Sequence, residues 1–199
     1  ELRPPYIGLV VSGGHTALYR IEEGASPALL GETRDDAAGE SFDKVAQVLG
    51  LGYPGGPVMD TLARRGRADC VALPRPKIDG APYDFSFSGL KSAAIREIRS
   101  RGLADAGDTP EAADLAAAFE AAVVDILLAP LDTLAVQHRP QLVMASGGVG
   151  TGIMVDDGAS PTILNNVVAY FETGISVDTL SANAGTTLGA NLYHSTSNP

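Results

Sequence analysis

Val10-Val11-Ser12-Gly13-Gly14-His15-Thr16 brings two adjacent glycines, flanked by two hydroxyl side chains, off the end of an apolar strand and into one tight turn. Glycine lets the backbone approach an anion and take a positive φ, so that successive N–H groups converge on the anion's oxygens. The same residues also suit a plain hairpin between two strands. The stretch alone leaves both readings open, and the residues after it weigh on the choice.

From Gly31 to Pro57 the chain reads GETRDDAAGESFDKVAQVLGLGYPGGP. An acidic opening leads into apolar residues at Ala38, Phe42, Val45, Ala46 and Leu49, which lie on one face of a helix. Gly50 and Gly52 end that helix, and Tyr53-Pro54-Gly55-Gly56-Pro57 forms a second glycine turn, with Pro57 suited to the first position of another helix. A third glycine turn, Ser146-Gly147-Gly148, follows the apolar run Leu142-Val143-Met144-Ala145. Repeated strand-to-glycine-to-helix junctions line nucleotide clefts in open α/β sheets.

Periodicity predicts strands at Tyr6–Ser12, Thr16–Ile21, Ala28–Glu32 and Gln141–Ala145. It predicts helices near Ala37–Leu49, Pro57–Arg65, Ser88–Ser100 and Pro110–Gln137, the last kinked or split at Pro130. A composition boundary lies near Gly150: all 14 Lys and Arg precede it, and every Asn follows it. The tail, residues 151–199, is read as a divergent or substituted ending that completes the same lobe, with a fused segment as the alternative. In it, Ser160 caps and Pro161 starts a helix carrying Leu164, Val167, Val168 and Phe171, which Gly174 stops. A short strand at Ile175–Val177 and a second helix after Asp178 complete the expectation.

Apolar content of 45% with 19% charged residues describes an ordinary globular chain long enough for one substantial core. No apolar run approaches a membrane span and no basic-then-apolar leader opens the chain, so the sequence reads as cytoplasmic, with no membrane partner. Cys70, the single cysteine, reads as an inert, partly buried thiol. A net charge of −10 argues against RNA binding through a broad basic face of this chain. The arginine groups Arg64-Arg65-Arg67 and Arg96-Arg99-Arg101 read as solvated helix ends.

VSGGHT, GETRDDAAGESFDK, LGLGYPGGP and DFSFSGLK (Asp84 to Lys91), in this order and spacing, resemble the TsaD family of tRNA threonylcarbamoyl transferases. The family's older name is O-sialoglycoprotein endopeptidase. The resemblance covers Pro5 to Val149 and implies an α/β fold, one lobe of the actin-like, Hsp70-like and sugar-kinase-like (ASKHA) kind, with the N-terminal lobe largely missing from this chain. It implies transfer of a threonylcarbamoyl group from threonylcarbamoyl-adenylate to N6 of adenosine 37 in ANN-decoding tRNA, assisted by partner subunits. Val10, Val11, Ser12, Gly13 and Gly14 would then meet the adenylate and its phosphate. Asp43 would take a ligand hydroxyl, with Gly56 and Asp60 near the ribose. Without the resemblance, Asp43 reads as an exposed helix carboxylate paired to Lys44 or Lys91.

The resemblance also implies a divalent metal, iron or zinc, held by a histidine pair four residues apart and a late aspartate. His15, His138 and His194 supply no such pair, and Ala182 stands where the aspartate is expected. Gly150-Thr151-Gly152 replaces the small residues and adenine-binding Asn that the family has after its third glycine turn. No metal ligands and no catalytic nucleophile are therefore expected in this chain, and alone it is expected to be inactive. A nucleotide-binding or subunit-interaction scaffold without turnover is the second reading, and a metal-dependent glycoprotease the third.

Overall fold

The computed structural model describes residues 4–138, 140 and 142–147, and the backbone of 162–163, 167–170, 187–188 and 192–195. In chain order the elements are β1 (Tyr6–Val11), β2 (Thr16–Ile21), β3 (Ala28–Glu32), α1 (Ala38–Leu49), α2 (Gly55–Ala63), α3 (Ser88–Ser100), α4 (Pro110–His138), β4 (Leu142–Gly147), β5 (Thr162–Ile163), β6 (Val167–Tyr170), β7 (Thr187–Leu188) and β8 (Leu192–Ser195). The fold is α/β. It divides into two compact units, one of Glu1–Val11, Ala17–Leu30 and Thr133–Pro199, the other of Ser12–Thr16 and Gly31–Asp132.

The first unit holds a sheet of order β3-β2-β1-β4-β6-β8. β1 and β4 run parallel in a register that pairs Tyr6 with Leu142 and Val11 with Gly147, so both strands end together. Ile7 and Leu9 alternate inward on β1 and are buried with Leu18, Val143 and Ala145, as a half-buried strand's period of two requires. β4 runs through Ser146 and Gly147 rather than ending at Ala145, because those residues complete its ladder with β1.

The helix expected from Pro161 to Phe171 is replaced by strand at the described residues Thr162–Ile163 and Val167–Tyr170. Val167–Tyr170 is instead strand β6, paired antiparallel with β4 and parallel with β8. The adjacent β-branched Val167 and Val168 prefer the pleated sheet, and a short apolar run fits either period until a neighbouring strand decides it. Part of the region expected as a second helix after Asp178 is strand too: Thr187–Leu188 pairs parallel with Thr162–Ile163, and Leu192–Ser195 is β8. Ile175–Val177, Gly150–Gly152, Gly148 and Ala182 lie outside the described residues.

The second unit is mainly helical, with Leu49, Met59, Phe85, Phe87, Leu90, Ile98, Leu115, Phe119 and Leu127 fully buried. α1 spans its expected range and stops at Gly50, whose φ of 75° is left-handed. Thr109 caps α4, its hydroxyl accepting from the Ala112 N–H, and Pro110 takes the first helical position. Pro130 does not split α4, which runs unbroken to His138. The helix is apolar around most of its circumference, and the packing of that surface outweighs the one backbone bond that proline removes.

Candidate functional site

α1 lacks a capping side chain of its own, since Ala37 precedes it. Its first donors are met by the turn that β1 delivers. The buried Thr16 hydroxyl accepts from the Ala38 N–H at 3.0 Å, and the Ser12 carbonyl accepts from the Gly39 N–H at 3.2 Å. The second hydroxyl of the opening motif is thus a helix cap supplied from a strand.

Ser12 closes the turn from within. Its N–H donates to the His15 carbonyl at 2.7 Å, and its Oγ accepts from the Gly14 N–H at 3.3 Å and the His15 N–H at 3.0 Å. The stretch is therefore a hairpin turn in geometry. Neither Gly13 nor Gly14 has a left-handed φ, contrary to the expectation that glycine is needed there for its backbone conformation. What glycine supplies is access: a Cβ at either position would meet nothing within 4 Å.

The glycine that the turn does require is Gly39, on α1. A Cβ there would stand 2.7 Å from the Ser12 carbonyl oxygen and 2.8 Å from the Gly13 Cα and N. One helical turn along α1, Gly55 makes the same kind of approach. Its Cβ would stand 2.6 Å from the Asp43 Cα, 2.8 Å from the Phe42 carbonyl oxygen and 2.9 Å from the Ala46 Cβ. Gly39, Asp43 and Ala46 share one stripe of α1, so the two glycine turns are seated side by side on it, about 6 Å apart along the axis. Sequence reasoning missed Gly39. The available signal was a glycine in the first turn of a helix, where it costs about 1 kcal/mol relative to alanine without a close neighbour.

Asp43 stands between the turns. Its Oδ1 accepts from the Gly55 N–H at 2.7 Å, giving α2 the cap that Pro54 cannot provide. This cap lets α2 begin at Gly55, two residues before the expected start at Pro57. Lys44 and Lys91, the expected alternative partners of Asp43, bond instead to Asp36, Lys44 at 2.9 Å. Asp43→Ala is expected to cost about 1 kcal/mol in a urea titration, the usual loss for a missing cap. An unchanged midpoint would show that the Gly55 bond carries no weight.

Gly56 and Asp60 lie four residues apart on one face of α2, and a Cβ at Gly56 would meet open space. Asp60 is tied to Arg64 at 2.8 Å, while Arg65 pairs with Asp108 and Arg67 with Asp114. The arginine group after α2 is thus matched by carboxylates and leaves little free positive charge. Val10 and Val11 are the last residues of β1, opposite Ser146 and Gly147.

Behind this surface, two carboxylates hold the loops in place. Asp35 accepts from the Phe87 N–H at 2.8 Å, the Ser88 N–H at 3.2 Å and the Ser86 hydroxyl at 2.6 Å, and so caps α3. Burial works to raise its pKa, but these donors outweigh burial and hold the carboxyl below its ordinary value. Asp36 likewise lies below its ordinary value, because the Lys44 and Lys91 ammonium groups outweigh its desolvation. The motifs around Asp35 and Asp84 therefore meet: Asp84 in turn bonds the Glu32 N–H and the Arg34 guanidinium.

Glu120, on α4 beside the Phe119 ring that packs edge-on against Phe42, has a buried Oε2 without a hydrogen-bond partner. Burial, with Asp60 adding and Arg64 opposing, pushes its carboxyl from 4.5 up to about 7. A raised folded-state pKa contributes stability below the ordinary carboxylate range, and that stability is lost as pH rises through about 7. Glu120→Gln is expected to match the parent near pH 5 and to exceed it by about 1–2 kcal/mol near pH 8, after discounting for solvent screening. Chemical denaturation at the two pH values checks this; equal differences at both would show that Glu120 does not titrate in this range.

An α/β fold with one glycine turn between β1 and β2 and another between α1 and α2, in place of the expected strand-to-helix junctions, defines the class. The chain belongs to the TsaD family: the family model described as tRNA N6-adenosine threonylcarbamoyltransferase matches residues 1–159. A protein of that name from Thiobacillus denitrificans is 49% identical over 146 residues, covering 73% of this chain and 41% of that protein. One from Ralstonia pickettii is 44% identical over 155 residues, 77% of this chain and 45% of that protein. One from Thermosipho africanus is 45% identical over 149 residues, 75% of this chain and 44% of that protein. The chain spans less than half the length of these curated relatives. No described helix is long and apolar enough to cross a membrane.

Proposed function

We propose that this chain carries the nucleotide-binding part of an actin-like transferase that moves a threonylcarbamoyl group from threonylcarbamoyl-adenylate to N6 of adenosine 37 in ANN-decoding tRNA. The observation that carries the reading is the stripe Gly39–Asp43–Ala46, which seats both glycine turns on one face of α1. In this reading the donor's phosphate lies over the open backbone of Gly13 and Gly14. The Asp43 oxygen not used by Gly55 takes a ribose hydroxyl, and Gly56 and Asp60 flank the sugar, where glycine lets it lie against the backbone. The tRNA amine bonds to the donor's carbonyl carbon, the bond from that carbon to the phosphate oxygen breaks, and AMP leaves as the amine gives up a proton. Alignment of the two reactants is what these residues contribute. The N-terminal end of α2 adds a favourable field for the departing anion.

The family resemblance implies an iron or zinc ion. Among the described residues, no three His, Cys, Asp or Glu side chains gather to hold one, so the described residues do not fit a metal centre. In this reading much of the tRNA-binding charge comes from elsewhere, because the chain is acidic and Arg64, Arg65 and Arg67 are paired with carboxylates. In this reading the described residues bind the donor nucleotide, and the chain by itself is expected not to turn it over.

Calorimetric titration with AMP, adenosine and inorganic phosphate tests the site. AMP should bind more tightly than either fragment, and Asp43→Ala should weaken AMP and adenosine but not phosphate. Equal affinity for AMP and phosphate would reduce the site to an anion-binding turn. Incubation with donor, metal, partner subunits and unmodified tRNA, followed by mass spectrometry of the nucleosides, tests turnover. Formation of N6-threonylcarbamoyladenosine over multiple cycles would overturn the claim that this chain alone lacks turnover.

A further inference from the structure

Carboxylates claim most of the positive charge. Among the described residues, every Lys and Arg other than Lys77, Arg96 and Arg99 is paired with an Asp or Glu. These three are exposed and lie together. Gly89, Ser92, Arg96 and Arg99 recur at spacings of three and four along α3, so they share one stripe of it. The stripe is the solvent face of the helix, opposite the buried Leu90, Ala94 and Ile98. Lys77 joins it at the Gly89 end, because its neighbour Pro76 packs there: a Cβ on Gly89 would stand 3.3 Å from the Pro76 Cγ. Glu97, the one carboxylate on α3, is held by Arg101 at 3.0 Å. From Gly89 to Arg99 the stripe is about 15 Å long.

We propose that this stripe, with Lys77, is a contact surface for the phosphate backbone of RNA, steadying the body of a tRNA apart from its reacting base. This rests on the reading of the chain as part of a tRNA-modifying transferase. A guanidinium without a carboxylate gains a phosphate contact and breaks no ion pair to do so. The arginines after α2 would have to give theirs up. The make-up of the face selects RNA over a protein partner. Protein interfaces centre on apolar and aromatic anchors, and no large apolar side chain is exposed on α3. Gly89 and Ser92 instead let a sugar–phosphate strand lie close to the helix, and the Ser92 hydroxyl is free to donate to a phosphate oxygen. A narrow strip also suits an acidic chain: it positions the RNA and leaves most of the affinity to other surfaces.

Fluorescence anisotropy of a labelled, unmodified ANN-decoding tRNA, titrated with the chain at several KCl concentrations, tests the surface. Arg96→Gln and Arg99→Gln should each weaken binding and lower the slope of log K against log salt by about one. Arg99→Lys keeps the charge and should keep the slope. Arg65→Gln is the contrast, because Asp108 already engages that guanidinium, and its slope should match the parent's. AMP affinity, measured by calorimetry, should be the same in all four variants. Equal slopes in the parent and both α3 glutamine variants would overturn the surface and leave the donor site standing. Binding of poly-glutamate as tight as that of the tRNA would also overturn it, assigning the stripe to an acidic protein. A parent that binds AMP but no tRNA would show the surface to be wrong. A parent that binds neither would remove the reading on which it rests as well.

Discussion

Gly39→Val is expected to abolish AMP binding and to destabilise the fold by about 3 kcal/mol, the upper range for forcing volume into a packed site. The added Cβ would fall 2.7 Å from the Ser12 carbonyl oxygen and 2.8 Å from the Gly13 backbone, atoms that cannot move without dismantling the turn. Gly13→Ala and Gly14→Ala are the contrast. Their side chains enter open space at φ values any residue tolerates, so folding should change by less than about 0.5 kcal/mol. AMP affinity should nonetheless drop, because the methyl occupies the ligand's approach. Urea titrations and calorimetry on the three variants separate the roles. Equal stability of Gly39→Val and the parent would show that the turn is not seated on α1.

Asp35→Ala is expected to cost about 2 kcal/mol. The carboxylate is exposed on one side, but it accepts from two N–H groups at the start of α3 and from the Ser86 hydroxyl. Asp35→Asn keeps one acceptor oxygen and should lose about half as much. Because the folded-state pKa values of Asp35 and Asp36 are lowered, their contribution is present above the ordinary carboxylate value of 3.8 and disappears as pH falls through the folded values. The gap between Asp35→Ala and the parent should therefore close in acid. A gap independent of pH down to about pH 2 would assign the loss to packing rather than to the charged cap.

The helices of the second unit were legible because their apolar periods are long and their starts and stops explicit, as at Thr109-Pro110 and Gly50. The strands of residues 162–195 were not. Val167 and Val168 fit a helical face as well as a pleat, and only pairing with Val143's strand and with Leu192–Ser195 decides between them. Within the candidate site, the sequence showed that Ser12-Gly13-Gly14, Asp43 and Gly55-Gly56 are unusual, but not which contacts they make. The resemblance makes Asp43 a ligand group and leaves Thr16 without a role, yet each caps a helix that starts after a residue without a capping side chain, Ala37 and Pro54. Such caps reach across 22 and 12 positions of sequence, beyond any local pattern. Glu120 was invisible because a single acidic residue in an apolar helix carries no period; only packing shows that its oxygen is buried.

The two glycine turns on α1 are proposed to form one adenine-nucleotide site. Titrating the uniformly 15N-labelled chain with AMP and following backbone amide resonances tests it most directly. Gly13, Gly14 and Gly56 should shift together along one binding curve, with Gly39 responding and the amides of Arg99 and Arg101 at the far end of α3 unmoved. Shifts confined to one turn, or two turns titrating with separate affinities, would contradict it.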